Sequence, residues 1–389
     1  MATATDNDRV VLGFGLRFPP NRLPALVSSQ ALLKYFKRRI SHEMRLIVYC
    51  TTKISGFEEL YFSKIVIYIP NMENFGSNLK TYKIGVLPID GFALMSYAST
   101  VEPFRAANTL SRRNLYEVIN ISADGAPVPS SGAASVTPQQ SIHERVELDY
   151  LFVVAGGNPA LFRNKQVLSW LGRVSRFGAR LGGVSGGPVI LASAGLMEER
   201  RMTVHWEHAE ALAEISPHLI IERTLYVIDR DRLTCAGGTA ALDLMLALIT
   251  EHHGSLFASL VSDWFMHTEI RPSVGPQRGG LAARVGSNNA VILEAVKAME
   301  SHVADPISLA QLSTVVGISP RQLNRLFKQR LGRSTMGYYR DLRLDKSLNL
   351  LRNSPLPLTE VALATGFANS SHFSRLFSEY FGRAPSSFR

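Results

Sequence analysis

The last hundred residues are built twice. The run Ile307-Ser-Leu-Ala-Gln-Leu-Ser-Thr-Val-Val-Gly-Ile318 recurs as Leu356-Pro-Leu-Thr-Glu-Val-Ala-Leu-Ala-Thr-Gly-Phe367. After one inserted residue, Arg325-Leu-Phe-Lys-Gln-Arg-Leu-Gly-Arg333 recurs as Arg375-Leu-Phe-Ser-Glu-Tyr-Phe-Gly-Arg383. In each copy a short apolar-patterned segment ends on a glycine, Gly317 or Gly366, and a second segment opens at a capping residue, Ser319 or Asn369. Leu323, Leu326 and Phe327 in one copy, and Phe373, Leu376 and Phe377 in the other, fall at i, i+3, i+4, one face of a helix. Helix, glycine turn, helix is the helix-turn-helix pattern, whose second helix lies in the major groove of DNA. Residues 336–351, between the copies, carry apolar residues at helical spacing and predict a long connecting helix. Such a rod would hold two reading helices about one DNA turn, roughly 34 Å, apart.

Charge follows the repeat. The chain carries 42 Lys and Arg against 32 Asp and Glu, a net charge of +10. Residues 288–389 hold 13 bases and 7 acids, and residues 1–71 hold 10 and 5, so the stretch between is nearly neutral. An excess of bases on the duplicated segment suits phosphate. On the first reading helix Ser319, Pro320, Arg321, Gln322, Asn324, Arg325 and Lys328 face outward, with guanidinium groups for guanine, amides for adenine and ammonium for phosphate. On the second, Asn369, Ser370, Ser371, His372, Ser374 and Arg375 do so more weakly. An ordinary helical bundle with a solvated basic face is the alternative to these readings.

The closing run from Gly366 to Pro385-Ser-Ser-Phe-Arg389, with Phe367, Phe373, Arg375, Phe377 and Gly382, resembles the signature of the AraC/XylS family of bacterial transcription regulators. The resemblance covers 288–389 and implies a seven-helix domain with two helix-turn-helix units. The stretch 271–287, rich in Gly, Pro and small polar residues, predicts a linker in front of it.

Residues 82–250 alternate strand and helix patterns. Tyr82-Lys-Ile-Gly-Val-Leu-Pro88 and Tyr150-Leu-Phe-Val-Val-Ala155 read as buried strands, 96–110 and 165–177 as helices, 223–229 and 232–235 as a late hairpin leading to a helix over 240–252. That alternation predicts a parallel sheet, with sites beyond the carboxyl ends of its strands at Asp90-Gly91, Gly156-Gly157 and 183–187. Ser185, between strand and helix among small residues, has the place of a nucleophile elbow, with His205 or His208 as base and Glu207 or Asp229 as orienting acid. A tight chain reversal or a close ligand approach explains the same glycines.

The segments Asp90-Gly-Phe92, Val154-Ala-Gly-Gly157, Gly183-Val-Ser-Gly-Gly187 and Gly237-Gly-Thr-Ala-Ala-Leu-Asp243 resemble the PfpI-like branch of the class I glutamine amidotransferase-like superfamily. Enzymes of that branch carry Cys then His at the elbow and a Glu after the first strand. Here those places hold Ser185, Gly186 and Ala93. A PfpI-like domain followed by an AraC-type domain resembles the GlxA-type regulators, some of which regulate the catabolism of amino acids or of quaternary amines such as glycine betaine and carnitine.

The expected architecture is therefore an α/β three-layer sandwich with a flavodoxin-like parallel sheet, over 72–270, then the linker 271–287 and an all-α domain over 288–389. The expected function is sequence-specific transcription regulation, with a small effector held near Gly157, Ser185, Gly187, His205, Trp206 and Glu207. Trp206 would face a ligand cation and Glu207 offset its charge; each of these residues reads equally as structural. The alternative is a Ser185-dependent hydrolase or amidase with an attached DNA-binding domain. Expected partners are operator DNA, the effector, RNA polymerase and a second copy of the chain, with no membrane, metal or cofactor. Two cysteines, Cys50 and Cys235, make no disulfide framework, and a cytoplasmic location is the default expectation. Residues 1–71, with the basic cluster Lys34, Lys37, Arg38 and Arg39, read either as a basic arm or as sequence ahead of a start at Met72, the second being favoured.

Overall fold

The computed structural model describes residues 80–388, together with the backbone of Val10–Leu12, Arg45–Tyr49 and Lys64–Tyr68. Those three strands form an antiparallel sheet. The basic cluster and the start at Met72 lie outside the described residues. Met1–Lys80 and Thr81–Arg389 are separate compact units.

The second unit begins with the parallel sandwich that the strand–helix alternation predicts. The strands are β1 Tyr82–Pro88, β2 Tyr116–Ser122, β3 Gln140–Ser141, β4 Tyr150–Ala155, β5 Arg180–Ser185, β6 Tyr226–Asp229 and β7 Arg232–Cys235. They are ordered β6-β7-β5-β4-β1-β2-β3, all parallel except the β6–β7 hairpin. All six β4 side chains are buried, the mark of a strand covered on both faces. One face carries α1 Leu94–Ser111, α5 Ala240–His253 and α6 Ser255–Trp264. The other carries α2 Lys165–Arg176, α3 Gly187–Ser193 and α4 Trp206–Ile215, whose Val167, Trp170, Ile190, Ala209 and Leu212 close one core over the sheet.

Residues 271–287 are less plain a linker than their composition suggests. Leu281–Val285 forms a short helix, α7. Ahead of it the Gln277 amide donates to Thr203 Oγ1, Val204 O and Thr224 O, so the chain is strapped along the sandwich.

The helical part continues as α8 Ala290–Ser301, α9 Leu309–Val315, α10 Pro320–Leu331, α11 Thr335–Asn353, α12 Leu358–Ala364 and α13 Ser370–Phe381. Ser319 and Gln322 form a reciprocal capping box at the start of α10, and Asn369 caps α13. Each repeat has its own core: Ile292, Met299, Leu312, Leu323 and Phe327 in the first, Val361, Phe367, Phe373 and Phe377 in the second. The connecting helix α11 serves both, giving Tyr339 to the first core and Leu344 and Leu350 to the second. Gly366 holds the second turn at φ +74°, and a Cβ there would lie 2.5 Å from Val303 O. Only glycine meets both demands.

Candidate functional site

Four chain segments meet at the carboxyl edge of the sheet. Ser185 ends β5 with φ +61°, a conformation that non-glycine residues seldom adopt, and α3 starts two residues later. Close packing holds the bend: a Cβ on Gly187 would sit 2.0 Å from Val153 O, and one on Gly237 2.5 Å from the Ser185 Cβ. Ala93, before α1, has its amide N 3.1 Å from where a Gly156 Cβ would be. Close packing thus holds both the Ser185–Gly186 bend and the turn that carries Ala93.

No hydrogen bond joins Ser185 Oγ to His205, His208, Glu207 or Asp229 among the described residues. The Ser185 hydroxyl makes no hydrogen bond among the described residues, and His205 meets this residue only through its backbone, its N–H donating to Ser185 O at 3.2 Å. The His205 side chain caps α4 by accepting from Glu207 N. Burial holds its imidazole below the usual range, against the pull of Glu207. His208 is 4% exposed, and burial, helped by His205, lowers its pKa to about 4. Asp229 accepts from Arg201 N and Arg230, which hold its carboxyl low. Cys235 lies beside the elbow, fully buried, its thiol pushed up to about 12 by that burial against donation from the Gly237 and Ser185 N–H groups.

Beside the elbow a cleft of about 480 Å³ opens between the ends of β1, β2 and β4. Gly157 lines it, while Ser185, Gly187, His205, Trp206 and Glu207 do not. Its ionisable lining groups are both carboxylates, Asp90 and Asp124, and Pro127, Pro129 and Phe162 supply apolar wall. The cation over Trp206 is the chain's own: the Arg278 guanidinium lies 4.3 Å from the ring centroid. Glu207 turns its carbonyl to the Asn349 amide of α11. Only one of the six residues proposed for the effector therefore lines the cleft, and Asp90, Asp124 and Asn158 join it from strand ends that the sheet order, not local spacing, brings together.

On α10, Arg321, Arg325 and Lys328 are exposed and form no ion pair among the described residues; their i, i+4, i+7 spacing sets them on one face. Three neighbours have local duties as well. The Gln322 carbonyl oxygen accepts from Ser319 N and Ser319 Oγ, and Asn324 Oδ1 accepts from Thr335 N at the start of α11. Pro320, at the first helical position, donates nothing. On α13, Ser370, Ser371, His372 and Ser374 are exposed or half-buried, Asn369 caps the helix, and Arg375 is paired with Glu379 at 2.7 Å. The Arg343 guanidinium of α11 donates to Thr365 O and Gly366 O and stacks on Phe367, fixing the second turn.

An α/β sandwich followed by two helix-turn-helix units on one connecting helix defines a DNA-binding regulator of transcription. Residues 83–251 match the DJ-1/PfpI family and residues 312–389 a helix-turn-helix domain family. The HTH-type transcriptional regulator GlxA of Rhizobium meliloti is 41% identical over 308 residues, 79% of this chain and 95% of that protein. The regulators CdhR and GbdR of Pseudomonas aeruginosa are 40% and 37% identical, over 77% and 79% of this chain and 89% and 84% of theirs. The chain belongs to this GlxA-type family of AraC-type transcriptional regulators, and these relatives are named as regulators, not as enzymes. Among the described residues no helix is long and apolar enough to cross a membrane.

Proposed function

We propose that the chain is an effector-responsive regulator whose sandwich binds a small cationic amine without turning it over, and whose α10 and α13 read an operator. The observation that carries this is the elbow: its strained backbone is kept beside a 480 Å³ cleft, while no hydrogen bond joins the Ser185 hydroxyl to a base among the described residues, the His205 imidazole capping α4 instead. Strain is retained where the surroundings over-determine it, and here it ends the strand next to β4, whose own end, Ala155 to Gly157, lines the cleft. The carboxylates Asp90 and Asp124 favour an amino-acid-like or quaternary amine. Arg321 and Arg325 would meet base edges, Lys328 and the exposed part of α13 the backbone. A second copy of the chain and RNA polymerase are the further partners of this reading.

Selection of full-length protein on random duplexes tests it. The expected product is a pair of boxes about one helical turn apart, bound in preference to scrambled DNA at physiological salt. No enrichment, with equal and salt-steep binding to any duplex, would instead mark a DNA-compacting protein. For the effector, glycine betaine, carnitine and free amino acids are added in turn. A binder present at about 100 times its Kd stabilises the fold by about 2.7 kcal/mol. A panel that changes neither thermal unfolding nor operator affinity overturns the amine reading.

His208 gives a separate pH dependence. Its folded pKa of about 4 lies below the 6.5 of the free side chain, so the folded state resists the proton that the unfolded state takes up. Above pH 6.5 it contributes nothing; between 6.5 and about 4 stability falls with falling pH, by about 1 kcal/mol at pH 5.5. Urea denaturation at pH 7.5 and 5.5 is expected to show this loss and His208→Gln to remove it; an unchanged difference would assign the slope to other groups.

A further inference from the structure

The two helix-turn-helix units are tied to the sandwich unequally. Helix α4 starts at the elbow, where His205 N–H donates to Ser185 O, and its other face enters the helical part. Ala211 of α4 is buried in the second unit's core with Leu344, Leu350, Phe367 and Phe373. Glu210 pairs with Lys346 of α11, and Glu207 O accepts from the Asn349 amide. A second tie comes from the cleft itself: Asn158, in its wall, donates from Nδ2 to Arg352 O in the last turn of α11. The first unit has neither. Among the described residues its core takes nothing from the sandwich, and no hydrogen bond or ion pair joins α8, α9 or α10 to it.

We propose that α4 and Asn158 are the link by which occupancy of the cleft is read by the second helix-turn-helix unit and not by the first. The proposal rests on the cleft being the effector site. A ligand acts at a distance only by favouring one of two arrangements of a shared element. Here the shared element is the C-terminal half of α11. An occupant that displaces Asn158 withdraws a donor from its last turn, while Arg343 on the same helix fixes the turn in front of α13. The first unit would then hold its box constantly, and the second would engage or release according to the ligand.

A covalent occupant tests this without knowing the effector. Leu161 lines the cleft and is exposed, so Leu161→Cys in the full chain can be capped with N-ethylmaleimide; Val128→Cys, also in the wall, is the second attachment point should the first not fold. The unsubstituted chain, treated alike, controls for Cys50 and Cys235. Hydroxyl-radical footprints on the selected operator are expected to change by about fivefold or more over the second-unit box, with the first-unit box unchanged. Asn158→Ala combined with Asn349→Ala should abolish the response while leaving the first-unit box protected. Equal change over both boxes, or none over the second, overturns the proposal. If the capped chain responds but no soluble amine stabilises the uncapped one, the effector reading fails and the link stands.

Discussion

Alanine at both Arg321 and Arg325 is expected to erase the preference of the full chain for its operator while leaving the fold intact. Both side chains are exposed, neither is held by a carboxylate among the described residues, and they stand one turn apart on α10. Their loss therefore leaves no buried group unpaired. A guanidinium that forks to a guanine edge contributes about 1–3 kcal/mol of discrimination, so losing two should lower the ratio of specific to scrambled binding roughly thirtyfold or more. Lys328→Ala serves as the contrast: a phosphate contact weakens all sequences alike and lowers the slope of log affinity against log salt by about 1. Arg375→Ala should cost less than Arg321→Ala, because Glu379 already holds that guanidinium. Competition with a scrambled duplex at fixed salt measures the arginine variants, and direct titration over a salt series measures Lys328→Ala. Retained preference in the double variant would move the reading face off α10.

Much of the fold was legible in the chain because the relevant forces are local. A strand buried on both faces is an unbroken apolar run, and β1 and β4 end where their runs end, at Pro88 and Ala155. The repeat shows its helices through glycine turns and caps. The same local chemistry also held a warning: Ser319-x-x-Gln322 is a capping box, so Gln322 has a structural task before any base is present, and Arg375 has an acid four residues on. Illegible were the contacts that span the fold. Arg278 reaches Trp206 across 72 residues, and Asn158 reaches Arg352 across 194. No periodicity of α4 announces that Ala211 will complete a core in the other domain. The sequence places two domains; the joint between them exists only in three dimensions.

The strap between them should be fragile at one point, Arg271. Asp243, in the first turn of α5, has a side chain with no solvent exposure. It accepts from His267 Nε2 and Arg271 N at 2.9 Å on one oxygen, and from Arg271 Nε at 2.9 Å and Nη2 at 2.6 Å on the other. The same guanidinium reaches Thr239 Oγ1 at 2.7 Å. Arg271→Ala would leave one carboxylate oxygen without its donors; removing one partner of a fully buried pair costs about 3–5 kcal/mol, and the Arg271 guanidinium, 37% exposed, discounts that figure. The low end applies, since His267, the Arg271 N–H and the positive end of α5 still face the charge. A loss of about 3 kcal/mol corresponds to a fall in Tm of roughly 6–12 °C for a unit of this size. Asp243→Ala combined with Arg271→Ala should be more stable than Arg271→Ala alone, because it removes the stranded charge; the opposite order would show that the pair matters as packing. Limited proteolysis should find residues 271–287 cut faster in Arg271→Ala, with operator affinity of the intact chain little changed, since Leu281 and Val285 still pack on the first unit's core and Arg284 still pairs with Glu300.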